Sequence, residues 1–354
     1  MREFEILFGG FMNFDNNEVY EKIDRSNFLQ EIRNLDKKIS YGWEFTRSQM
    51  VSTLTTYNHI VFFGFQEYKT EISLLSELCK PHLIVPINII HENDLPDWIK
   101  NKDQLVICFV QQNNAEKIQN LFSTNMNNCS VFFLEKNAGF NFSKVNNLIG
   151  HWKLNDLAFN RTSIGYDLMV LHGLLNKLNF VPGLANEVNG IPEMVHNSLI
   201  HLDISVPSSL NPAKRLAGQM VGRWIKIIGG GITKPIAQLW CEQINKTAKN
   251  LAFSEDVYQL FYHSLSGIYF PENLIHQSMA IFLKSTINED IIEGMIDSLK
   301  EELMCNGLGT DFYSIRGNTR LSQIVNSILF GDFVAYYLAI ANKCDPYPIA
   351  TLDQ

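Results

Sequence analysis

Residues Trp224–Lys249 read WIKIIGGGITKPIAQLWCEQINKTAK, a strand, a glycine loop and a helix in sequence. Ile225, Ile227 and Ile228 suit a strand buried on both faces, and Gly229, Gly230 and Gly231 let the chain reverse at its end. Thr233 is placed to cap the following helix, Pro235 falls in its first turn, and Ile236, Leu239, Trp240 and Ile244 share one face. Ligands of open α/β sheets bind beyond the carboxyl ends of strands, at loops of this kind. The same loop also serves as a tight turn without any ligand, and spacing does not choose between the two.

Working outward, the first half repeats this alternation. His59–Phe63, Leu83–Ile90, Leu105–Val110 and Ser130–Leu134 read as strands. Helical spacing follows Gly64 through Ile72, Leu75 and Leu78, and recurs over Ala115–Phe122. Such alternation predicts a doubly wound parallel sheet. Ser163–Phe180 has helical periodicity and reads as a long helix between the halves. Val181 to Ser209 reads as polar and irregular. A second βαβ pattern begins near Asn211, with a helix over Pro212–Gly222, the strand and loop quoted above, and more helices to the end, one of them over Gly331–Asn342.

At 354 residues the chain is long for one core, and 46% hydrophobic residues with 24 Phe can fill two. Lys and Arg number 29 against 37 Asp and Glu, a formal charge of −8 with no basic block, which argues against nucleic acid or an anionic membrane as partner. Met1–Glu5 lacks the pattern of a signal peptide, and no apolar run reaches the length of a spanning helix. Cys79, Cys108, Cys129, Cys241, Cys305 and Cys344 show no CxxC spacing, and the nine histidines show no HxxxH. Reduced thiols, a cytoplasmic location, no metal and no cofactor are the expectation.

Four blocks then point to a family. Arg161-Thr-Ser-Ile-Gly-Tyr166 is similar to PRxSLGY, with Asn160 in place of the proline. Asn211–Ala217 with Gly222-Arg223 is similar to NPAKxLA…GR, Trp240–Lys249 to RWKTQLNENAK, and Tyr337–Ile349 to YLALLxGVDPTPV. In these blocks the chain resembles the bifunctional phosphoglucose/phosphomannose isomerases, built from two sugar isomerase (SIS) domains. The resemblance implies two flavodoxin-like, doubly wound α/β domains, each a parallel sheet flanked by helices, at 1–155 and 206–354, joined by a linker over 156–205. It implies aldose–ketose isomerisation of glucose 6-phosphate or mannose 6-phosphate to fructose 6-phosphate, in a homodimer whose partner subunit completes the site with a histidine segment. A carboxylate shuttles the proton between C1 and C2, a histidine opens the ring, and hydroxyls with backbone amides hold the phosphate.

Mapped onto this chain, the family glutamate of NENAK falls at Lys246, a cation at neutral pH. The histidine falls at His263. The first phosphate loop falls at Gly64–Ile72, with Gly64 kept, Tyr68 a candidate contact, and Glu67 and Glu71 repelling phosphate. The second falls at Phe109–Lys117, where Asn114 and Glu116 remain while the serines and threonine are gone. The family's terminal lysine finds no counterpart up to Gln354. Arg161 offers forked donors to a phosphate or makes a linker salt bridge. Gly230 lies on the opening loop. Glu242, four residues before Lys246, either supplies a displaced carboxylate or pairs with that lysine. Lys69, Lys214 and Lys234 either add positive charge near a pocket or are solvated surface. Two readings stay open: a sugar-phosphate isomerase with impaired catalysis, or a non-catalytic carbohydrate-derivative-binding sensor or protein-interaction scaffold.

Overall fold

A computed structural model describes residues 14–51, 56–90, 96–100, 102–124 and 128–348; Met1–Glu5 and Ile349, both used above, lie outside them. Along the chain, residues 14–48 carry α1 (Asn17–Ile23), α2 (Phe28–Arg33) and α3 (Leu35–Ser48). There follow β1 (His59–Phe63), α4 (Lys69–Cys79), β2 (Ile87–Ile90), β3 (Gln104–Gln111), α5 (Ala115–Thr124), β4 (Ser130–Lys136) and β5 (Leu148–Lys153). Next come α6 (Ile164–Lys177), α7 (Ala185–Leu202), α8 (Pro212–Met220), β6 (Trp224–Gly229), α9 (Thr233–Gln243) and β7 (Ala252–Asp256). The last elements are α10 (Val257–Tyr262), α11 (Glu272–His276), β8 (Ser278–Lys284), α12 (Asp290–Cys305), β9 (Gly309–Ser314) and α13 (Arg320–Ala341).

Two compact units emerge. Among the described residues, one holds those within 34–192 with 319–325; the other holds 14–33, 193–318 and 326–348. Residues 14–33 therefore group with the carboxyl-terminal sheet, and the helix over 185–202 crosses the unit boundary at 192/193.

In the first unit five parallel strands run in the order β2-β1-β3-β4-β5. Residues 60–63 and 104–110 are buried on both faces, which is why these strands are unbroken apolar runs instead of alternating ones. The order reverses between β1 and β3, the switch point where such sheets open a crevice. In the second unit four parallel strands run β7-β6-β8-β9, with the switch between β6 and β8. Both sheets are flanked by helices, as the alternation predicts.

Three expectations are corrected. Val181–Ser209 is not irregular: Val188, Ile191, Val195 and Leu202 are buried at spacings of three, four and seven along α7, which continues through Pro192. The expected strand at Leu83–Ile90 shortens to Ile87–Ile90, after Pro86, which has no N–H to donate to a sheet. The chain beyond α9 is not all helix, since β7, β8 and β9 complete the second sheet.

The helix over Gly331–Asn342 is the end of α13, whose 22 residues make it the one helix among the described residues long and apolar enough to cross a membrane. Its most apolar window is 83% buried, and it serves as a core helix.

Candidate functional site

The glycine loop after β6 is filled by the protein's own atoms. A Cβ on Gly230 would lie 2.6 Å from Val257 Cγ1 and 2.9 Å from Ile292 Cγ2. A Cβ on Gly231, which has φ +57°, would lie 2.5 Å from Asn288 Oδ1. That Asn288 oxygen accepts the Ile232 N–H at 3.1 Å, so it takes a donor that a ligand oxygen would otherwise use. Thr233 is not the cap: α9 begins at Thr233 itself, and Ile232 in the capping position makes no side-chain bond. The Thr233 hydroxyl instead accepts the Gly230 N–H and faces the Gly230 carbonyl, both at 2.9 Å. Val257 and Ile292 thus leave no room for a side chain at Gly230.

At the far end of α9 the chain widens into a π-helical turn over Ile244–Ala248, ended by Lys249 in the left-handed conformation at φ +50°. Lys246 sits on this turn, and its ammonium lies 3.3 Å from Glu242 Oε2, with the two side chains 45% and 32% exposed. Lys246 and Glu242 are therefore brought together as an i, i+4 ion pair. His263 ends α10, is exposed, and donates its backbone N–H to Gln259. No hydrogen bond links His263 to Glu242 or Lys246 among the described residues.

Charged groups the sequence did not single out gather where β7 ends. Glu255 accepts from Lys226 at 2.8 Å and from the Ser264 hydroxyl, while Asp256 caps α10 through Tyr258 N–H and pairs with Lys234 at 3.0 Å. Their position at the carboxyl end of a strand is the signal that finds them. Among the described residues no group of three or more His, Cys, Asp and Glu side chains is placed to hold a metal ion.

In the first unit Gly64 (φ +85°) turns the chain so tightly that a Cβ would lie 2.4 Å from the Phe109 carbonyl oxygen. Asn114 closes the β3–α5 turn, accepting the Gln111 N–H at 2.9 Å and donating to Phe109 O at 3.2 Å. Glu116 is exposed in the first turn of α5. Tyr68 donates its hydroxyl to Phe159 O at 2.7 Å, and its ring packs on Phe109 and Phe159 at 5.6 and 4.9 Å. Burial, helped by the negative charge of Glu67, pushes the Tyr68 phenol above its usual range. Arg161 lies half-buried in the turn before α6. Asp167 on α6 is fully buried, accepts the Phe159 N–H at 2.7 Å and the Ser163 hydroxyl at 2.5 Å, and burial raises its carboxyl well above the usual range.

Two lysines of the blocks that carry the family resemblance hold the scaffold together. Lys214 is neither pocket charge nor surface: its ammonium is buried among Phe14 O, Asp15 Oδ1, Ile204 O and Val206 O at 2.8–3.2 Å. Lys249 joins the third block to the fourth by donating to Asp345 O at 2.6 Å.

Residues 209–354 match the sequence profile of the bacterial phospho-glucose isomerase C-terminal SIS domain. Over this stretch the chain is similar to that family. A bifunctional phosphoglucose/phosphomannose isomerase of Caldicellulosiruptor bescii is 26% identical over 205 residues, 54% of this chain and 57% of that protein. One of Thermoplasma acidophilum is 30% identical over 142 residues, 37% of this chain and 41% of that protein. The chain thus matches 57% of the length of the first relative and 41% of the second. Among solved structures, a glucose-6-phosphate isomerase like protein from Thermus thermophilus superposes with a TM-score of 0.57 at 17% identity, covering 96% of this chain and 99% of that one. Glucosamine-6-phosphate deaminase from Thermotoga maritima superposes at 0.64 with 13% identity, covering 92% and 98%. These two likenesses show the fold alone.

Proposed function

We propose that this chain keeps a phosphosugar isomerase scaffold in which aldose–ketose isomerisation of glucose 6-phosphate and mannose 6-phosphate to fructose 6-phosphate is impaired. The observation that carries this reading is the 3.3 Å pair between Lys246 and Glu242. Proton transfer between C1 and C2 needs a base close to a C–H bond. The family carboxylate is replaced by an ammonium, and the candidate substitute, Glu242, pairs with that ammonium from one helical turn away, an offset of about 5.4 Å. A displacement of that size takes a base out of reach of its proton. The phosphate side agrees: Gly64, Asn114 and Tyr68 serve turns and aromatic packing, and the amide of Ile232 is taken by Asn288.

A coupled assay for fructose 6-phosphate tests the reading. Wild type is expected to be silent with both aldose phosphates. Turnover that disappears in Glu242→Gln would refute it and identify the base.

A second reading, a non-catalytic role in binding a carbohydrate derivative or another protein in the cytoplasm, draws on the surface around α10. Phe261, Tyr262, Tyr269 and Phe270 are exposed, and Phe261 with Leu265, Ile291 and Met295 borders a cavity of about 570 Å³. The exposed His263 lies in the same segment, which the family resemblance places at the boundary of a homodimer. Light scattering after size exclusion separates the cases. A monomer would remove the dimer from this reading, and a thermal shift with sugar phosphates would restore ligand binding to the first.

A further inference from the structure

Phe159 is the one aromatic residue with positive φ among the described residues; most of the others outside glycine are asparagines. At φ +48° a bulky side chain is strained, and such strain persists only where the surroundings over-determine it. Here they do. The Phe159 N–H is held by Asp167 and its carbonyl by the Tyr68 hydroxyl, both at 2.7 Å. On one side Lys136 donates to Ala158 O at 2.5 Å, and on the other the Asn160 N–H donates to Ser163 Oγ at 2.6 Å. The ring these bonds position packs 4.4 Å from Phe109, near the end of β3, and 5.6 Å from Phe65, just past β1. β1 and β3 flank the switch point, so the ring stands where a doubly wound sheet places its ligand.

We infer that Phe159 is a latched internal occupant of this crevice, an autoinhibitory contact whose latches are Tyr68 and Asp167, and that the space it vacates takes an uncharged ring. The walls are the rings of Phe65, Tyr68 and Phe109, and Glu67 and Glu71 set negative charge beside Tyr68. A phosphate is repelled there, whereas a flat neutral molecule replaces the phenyl ring contact for contact. A ligand that needs the open form binds with an apparent affinity reduced by the fraction open, so loosening a latch tightens binding with the walls unchanged.

Tyr68→Phe keeps the wall and removes one latch. Native-state hydrogen exchange is expected to show the Phe159 amide opening locally in wild type, and opening about fivefold more often in Tyr68→Phe, with β3 and β4 amides unmoved. A Phe159 amide as protected as the β3 core, or a uniform acceleration across the unit, would overturn the latch. Phe159→Gly removes the ring at a residue that accepts positive φ freely. Its melting temperature is expected to rise with indole and not with fructose 6-phosphate, and Tyr68→Phe is expected to respond weakly to indole where wild type does not. A response of Phe159→Gly to fructose 6-phosphate alone would overturn the ligand class, and indole binding confined to Phe159→Gly would reduce Phe159 to ordinary core.

Discussion

The Asn211 amide donates to the Tyr337 hydroxyl at 3.3 Å and to Leu202 O at 2.8 Å, while Tyr337 donates to that same Leu202 oxygen at 2.5 Å. One residue opens the NPAK-like block and the other opens the block at the end of α13, so two separated motifs meet at the carboxyl end of α7. Asn211 also caps α8, accepting the N–H groups of Ala213 and Lys214 at 3.0 and 3.1 Å. Asn211→Ala removes a helix cap and the donor to a buried carbonyl together. The expected loss is about 2–3 kcal/mol, read by urea unfolding. A change under about 0.5 kcal/mol would show that these shared motifs do not hold the scaffold.

Lys214 makes the same case from charge. Its side chain is 0% exposed, whereas that of Asp15 is 47% exposed. Lys214→Met leaves three carbonyls without their donor and should cost about 3 kcal/mol. Asp15→Asn faces water and keeps an acceptor, so it should cost less than about 1 kcal/mol. Equal losses in the two variants would mean that the ion pair, and not the carbonyl cage, fixes the amino-terminal segment.

The unbroken apolar runs at His59–Phe63 and Leu105–Val110 made the first sheet legible, because strands covered on both faces have no polar positions to confuse the period. β5 was not legible: its residues are half-buried or exposed apart from Trp152, and Gly150 lies where a Cβ would meet the Phe132 ring at 2.8 Å. α7 hid behind Pro192, which a local rule reads as a stop. At the site, the replacement at Lys246 came from the family resemblance, and helical spacing offered Glu242 as its neighbour. Phe159 and Asp167 did not, since a left-handed aromatic residue and a buried acid are held by tertiary contacts that no spacing encodes.

His172 on α6 is buried beside Trp43, and burial, with a small effect of His82, lowers its pKa to about 4 from an ordinary 6.5. The unfolded chain then binds the extra proton between these values and the folded chain does not. Stability is full above about pH 6.5 and falls as the pH drops toward 4, by about 3 kcal/mol. Urea midpoints of wild type and His172→Gln should diverge over that window and run parallel above pH 7. Parallel curves throughout would mean that the histidine is charged in the folded protein.

Lys246→Glu places a second carboxylate one helical turn from Glu242 on a partly exposed surface, so a few tenths of a kcal/mol of stability is the expected cost. The family carboxylate returns, yet Gly64, Asn114 and Tyr68 still serve turns and ring packing instead of a phosphate. The coupled assay should therefore stay silent with glucose 6-phosphate and mannose 6-phosphate. Turnover at a rate ordinary for enzymes, on the order of 10 s⁻¹, would show that a single residue had been the whole obstacle.

The glycine loop allows a sharper separation of packing from ligand binding. Gly230→Ala pushes a methyl against Val257 and Ile292, on β-branched side chains that have no flexible end to yield, and should cost about 1–3 kcal/mol. Gly231→Ala instead meets the Asn288 amide oxygen at 2.5 Å and also carries the penalty of positive φ. Adding Asn288→Gly should relieve the clash in Gly231→Ala and leave the loss in Gly230→Ala unchanged, a coupling read from a double-mutant cycle of unfolding free energies. If Asn288→Gly rescues both equally, the loop moves as one body, and Asn288 is not the particular group that fills the space over Gly231.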